Sequence, residues 1–105
     1  MIKVEIKNSD NHLKYLTVKG HANYEEHGKD IVCASVSSMI ILAINTIIAI
    51  DEKMITHQEK GDYINIEITN FSNDAINKVM NVLISMLKEL ESDYPKNIKI
   101  REEEI

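Results

Sequence analysis

The sequence predicts an α+β two-layer domain, one mainly antiparallel sheet packed by two helices, with elements in the order ββαββαβ. Three observations carry this. Apolar and polar residues alternate at both ends and in the middle of the chain, the period of half-buried strands. Two long stretches repeat their apolar residues at helical spacing. Each of these follows a pair of strand-like runs joined by polar turn residues. At 105 residues there is length for one core only, so 1–105 is read as a single domain.

Ile2, Val4 and Ile6 alternate with Lys3, Glu5 and Lys7 to make the first strand. Asn8, Ser9, Asp10 and Asn11 form a polar turn, and 13–19 is the return strand, with Leu16 and Val18 on one face. A polar connection, 20–29, contains Gly28. Asp30 is then the expected N-cap of a helix running to about Ile50, apolar on almost every side. A second hairpin, 54–58 with 63–68, turns at Lys60, Gly61 and Asp62 and points Ile64, Ile66 and Ile68 inward. Ser72 is the expected N-cap of the second helix, with Phe71 and Ile76 as a hydrophobic staple. Its apolar stripe is Ala75, Ile76, Val79, Met80, Leu83, Leu87 and Leu90. Pro95 follows the helix, Ile98 and Ile100 suggest a short last strand, and 101–105 is expected to be a frayed acidic tail.

Aromatic residues make up 5% of the chain and Trp is absent, so eighteen isoleucines dominate the core. The net charge of −5 argues against nucleic acid as principal partner, because phosphate binding needs a basic footprint. The stretch 31–50 is long enough to cross a bilayer, yet it holds Ser35, Ser37, Ser38, Asn45 and Thr46 and sits among strands, so a buried helix is the reading taken and no membrane partner is expected. One cysteine cannot form an intramolecular disulfide. Met1 to Glu5 reads directly into a strand, with no secretory leader, and a cytoplasmic protein is expected.

The chemistry concentrates in 20–37. With Asp30 as N-cap, Cys33 is the N3 residue, among the unpaired N–H groups at the positive end of the helix. That position favours thiolate, and the same N–H groups suit an oxyanion. His21 ends the strand before this loop, and a strand–loop–helix turn can bring its imidazole beside the thiol as a proton shuttle. Ser37 lies one helical turn beyond Cys33 on the same face, placed to orient the pair or the substrate. Each residue also has a structural reading: Cys33 as core filler, His21 as a surface histidine, Asp30 as a cap alone, Ser37 bonded back to a carbonyl. His27 competes with His21 for the base role, while His12 and His57 look structural. A metal site of His21, His27, Cys33 and Asp30 matches no standard zinc spacing.

Gly20-His21-Ala22, a loop containing Gly28, and then Asp30-Ile31-Val32-Cys33-Ala34-Ser35-Val36-Ser37 resemble the signature of the bacterial ribosomal-processing cysteine proteases, the Prp family. Ser35 stands where a small residue such as Ala is more usual. The resemblance implies that Cys33 is the nucleophile and His21 the histidine, with Gly20, Asp30 and Ser37 at the other signature positions and no cofactor. It implies removal of the N-terminal extension of large-subunit ribosomal protein twenty-seven, with cleavage after aromatic residues. It further implies a homodimer and a mobile flap over the substrate at 22–29. A non-enzymatic ribosome-associated module with a structural cysteine and a redox-sensing thiol protein are the competing classes.

Overall fold

The structure, a computed structural model, describes the backbone of residues 1–20 and 29–105, and side chains at 1–20 and 31–105. Its elements are β1 (Ile2–Ser9), β2 (His12–Lys19), α1 (Lys29–Asp51), a 3-10 turn (Glu52–Met54), β3 (Ile55–Lys60), β4 (Tyr63–Ile68), α2 (Asp74–Asp93) and β5 (Ile98–Glu104). The five strands form one sheet in the order β3-β4-β2-β1-β5. All neighbours are antiparallel except β1 and β5, which run parallel at one edge. The expected α+β order is therefore present.

The pairing makes β2 parallel to β3, and β4 parallel to β5, and parallel strands cannot be joined by a tight turn. The crossovers are α1 and α2, and both lie on the same face of the sheet. Ile2, Val4, Ile6, Leu16, Val18, Ile64, Ile66, Ile68 and Ile98 supply the sheet's share of the one core. Val32, Val36, Ile40, Ala43, Ile44 and Ile47 supply that of α1, at the three-and-four spacing of a single helical face. The helix is long and apolar enough to span a bilayer by length and composition. That face, however, is given to the sheet and to α2. Its remaining apolar residues, notably Ile31, Ile41 and Leu42, are exposed.

Asp10 and Asn11 join β1 to β2 with φ of 52° and 66°, the left-handed pair that suits a two-residue hairpin. A register shift follows: Lys7 faces Tyr15 while Asn8 faces Leu13. Lys14 is thus the extra residue of a bulge, which is why Leu13 and Leu16 are both buried despite opposite parity.

Two expectations about the second half are corrected. Asn73, not Ser72, caps α2, its side chain accepting from the N–H of Ala75 at 2.9 Å. Ser72, Asn73 and Asp74 are all capping residue types, so the sequence does not select among them. Phe71 consequently lies outside the staple position, and its ring stacks on His12 at 5.1 Å, giving that histidine its structural role. Ala75 is exposed, so the buried stripe starts at Ile76.

The acidic tail is not frayed. It continues β5 to Glu104, paired in register with β1 as far as Asn8, and the Ile105 N–H donates to the Asn8 carbonyl at 2.9 Å. Lys88 and Asn8 donate to the two oxygens of Glu102 at 2.7 and 2.9 Å, and Lys7 lies 3.9 Å from Glu103. The outer edge is covered where the Ile100 N–H donates to Glu91 at 2.8 Å.

The Lys88 hydrogen bond, then that of Asn8, hold the Glu102 carboxyl below its ordinary value of 4.5. A depressed folded value means stability that is present above the unfolded value and lost as pH falls through the folded one. Glu102→Gln is expected to cost no more than about 1 kcal/mol at pH 7, the scale of an exposed ion pair. The deficit relative to wild type should shrink as pH drops below 4.5. Urea denaturation at pH 7 and pH 3.5 measures both.

Candidate active site

The connection that carries His21 leaves the sheet at Gly20. The Gly20 N–H donates to the Asp62 carbonyl at 2.9 Å, tying the end of β2 to the β3–β4 turn. Its φ is +82°, and a Cβ there would stand 2.9 Å from the Met1 carbonyl oxygen. Both the backbone conformation and the space exclude a side chain there, so this strand end requires glycine. The groups approached, Met1 and Asp62, are backbone atoms distant in sequence, and no residue type announces them.

Beyond the connection the described residues continue with α1, Lys29–Asp51. Lys29 and Asp30 are both helical, so Asp30 lies inside α1 rather than at its N-cap, and Cys33 lies beyond the N3 position. A carboxylate favours the whole first turn through the dipole, so an Asp before an apolar run does not distinguish a cap from a first-turn residue. The first four N–H groups of a helix have no partner within it, and they lie at the end of α1 nearest Cys33. Helical side chains lean toward the N-terminus, so the Cys33 side chain leans toward that end of α1.

Cys33 is buried, with 4% of its surface exposed, in the core group that includes Val32 and Val36. One turn on, Ser37 is half-buried, and its hydroxyl makes no hydrogen bond among the described residues. The carbonyl back-bond considered for Ser37 is made instead by Ser35, whose Oγ donates to Ile31 at 2.8 Å. His21, His27, Gly28 and the side chain of Asp30 lie outside the described residues. The His21–Cys33 pairing and the alternative metal set lie there with them, as does the expected flap, whose last residue, Lys29, belongs to α1. His57 is exposed on the edge strand β3, with β4 between it and β2.

The sequence profile of the family described as cysteine protease Prp matches residues 1–99. The chain belongs to the Prp family. It is a cysteine protease. The ribosomal processing cysteine protease Prp of Bacillus subtilis (strain 168) is 30% identical over 107 residues, covering 95% of this chain and 96% of that protein. Prp from S. aureus in complex with a substrate peptide superposes with a TM-score of 0.91 at 25% identity, over 98% of this chain and all of the other. The same S. aureus protease with a covalently linked product peptide gives 0.82 at 28% identity, over 98% of this chain. The two-layer ββαββαβ fold is thus that of Prp.

Gly20→Ala tests the strand-end geometry. It should destabilise the Prp fold by about 1–3 kcal/mol, the range for a side chain forced into an unfavourable backbone region. The urea midpoint against wild type measures the loss.

Proposed function

We propose that this protease removes the N-terminal extension of large-subunit ribosomal protein twenty-seven, cutting after aromatic residues, with Cys33 as nucleophile and His21 as general base. One observation carries the site reading: a cysteine protease needs a thiol, and this sequence contains a single cysteine, Cys33. The substrate reading is supported by relatives named as ribosomal processing proteases and by the Gly20-to-Ser37 signature. A thiol that must remain reduced to react suits the cytoplasm, and the reading includes that location.

In the proposed reaction His21 takes the thiol proton and the Cys33 sulfur attacks the scissile carbonyl carbon. The resulting oxyanion is stabilised by N–H groups of the first helical turn, which precede Cys33 in the chain. Collapse of this intermediate expels the amine, which receives the proton from His21, and leaves a thioester on Cys33. Water then attacks the thioester, giving its proton to His21, and the acid product departs as the thiol is restored. Ser37, with its hydroxyl uncommitted among the described residues, is assigned to orient substrate or imidazole. Gly20 sets where the chain carrying His21 leaves the sheet, and Asp30 contributes negative charge to the first turn.

On a peptide carrying the extension, Cys33→Ala should abolish cleavage and His21→Ala should lose about 10²–10⁴ in rate. The double variant should be scarcely worse than Cys33→Ala, because residues acting as a unit are not additive. Ser37→Ala should lose less, and His27→Ala should remain nearly active. Activity of His21→Ala with inactivity of His27→Ala would reverse the base assignment.

The same reading includes a homodimer. Leu42 on α1 is 70% exposed and Val82 on α2 58%, and with Met86 they border an apolar groove between the helices. A second copy would remove this surface from water. Light scattering at micromolar concentration should give twice the chain mass, and Leu42→Lys should shift it to the monomer.

A further inference from the structure

The face of the sheet turned away from the helices carries an arrangement that no stretch of the sequence displays. The strand register aligns Lys60 with Tyr63, Tyr63 with Lys19, Lys19 with Lys3, and Lys3 with Lys99. One straight row thus crosses all five strands with four lysines, one tyrosine and no carboxylate. All four lysines are exposed, and the ion pairs among the described residues use other lysines: Lys7, Lys14, Lys78 and Lys88. Like charges directly opposite one another weaken a sheet. Here Lys3 has a lysine on both sides and no acid within the row to offset them.

The next row reads Gln58, Asn65, Thr17, Glu5 and Arg101, and the third Thr56, Glu67, Tyr15, Lys7 and Glu103. Glu103 is engaged by Lys7 and Glu67 by Lys14. The chain's net charge of −5 therefore conceals a locally basic face. Strand spacing of about 4.8 Å puts Lys60 and Lys99 about 19 Å apart, a track rather than a point site.

We propose that this face binds single-stranded RNA, with Lys60, Lys19, Lys3 and Lys99 on successive phosphates and the Tyr63 ring offered to a base. The row supplies both components of such recognition, a line of cations and an aromatic platform within it. Tyr63 is half-buried, and the Lys19 Nζ lies 5.8 Å from its ring centroid, so ring and cation act at one place. Amide and hydroxyl groups of Gln58, Asn65 and Thr17 run alongside, and Thr17 already donates to Asn65 at 2.9 Å. Such groups suit the ribose 2′-hydroxyl, which donates and accepts and distinguishes RNA from DNA. The inference rests on the strand register and stands apart from the cleavage assignment.

The test is fluorescence anisotropy of the full chain with a labelled single-stranded RNA of about twelve nucleotides, within the usual site sizes. Saturable binding at low salt should weaken with salt with a log–log slope near −2.8, about −0.7 for each of four phosphates. Lys3→Gln/Lys60→Gln/Lys99→Gln should flatten that slope by about two and lower affinity at least tenfold. Tyr63→Leu should weaken binding with the slope unchanged. Circular dichroism melts verify folding, and single Lys99→Gln serves if the triple variant is unstable, with a slope change of about 0.7. Absence of saturable binding, indifference to the lysine changes, or equal affinity for DNA of the same sequence or for polyglutamate would each overturn the proposal.

Discussion

The packing of one face of α1 against the sheet is the contact on which the rest depends. Val32, Val36, Ile40, Ala43, Ile44 and Ile47 bury a continuous strip along the helix. Each fully buried aliphatic side chain contributes about 1.5–3 kcal/mol. The strip fixes the axial position and rotation of α1, and with them the place of Cys33, which shares its first turns. It also holds the ends of β2 and β3 one strand apart, with β4 between them. The same commitment leaves the opposite side of an apolar helix facing outward, which ties the monomer's stability to an adhesive surface.

At the proposed site, Gly20 and the start of α1 are each held by contacts of their own. Gly20 is held by the Asp62 carbonyl and crowded by Met1, while α1 is anchored by its buried strip.

Alternation in β1 and β4 and the stripe on α2 were legible because burial on one face repeats with the period of the element. The end of β5 was not. A run of Arg101, Glu102, Glu103 and Glu104 reads as solvated, and only its pairing with β1 and the partners Lys88, Asn8 and Lys7 make it a strand. The bulge at Lys14 was hidden for the same reason, since register is a property of two strands together. Caps were blurred by neighbouring residues of equal capping chemistry, at Ser72–Asn73 and around Asp30. The proposed site was legible only as residue types within one short segment. The burial of Cys33 was not, because an apolar helix without a polar face does not declare which side meets the sheet.

The pairing of β1 with β5 sets an order of events for the newly made chain. Ile2 lies opposite Ile98, so β1 keeps one edge open until almost the whole sequence has been made. The β1–β2 hairpin can form early, because its contacts are local. Closing the β1 edge requires a loop spanning nearly the full domain, with the entropy cost that attends long closures. Until then the unpaired amides of β1 are a template for any extended segment nearby. A protein synthesised from its N-terminus thus carries its own most exposed intermediate, and the last strand to emerge is the one that removes it.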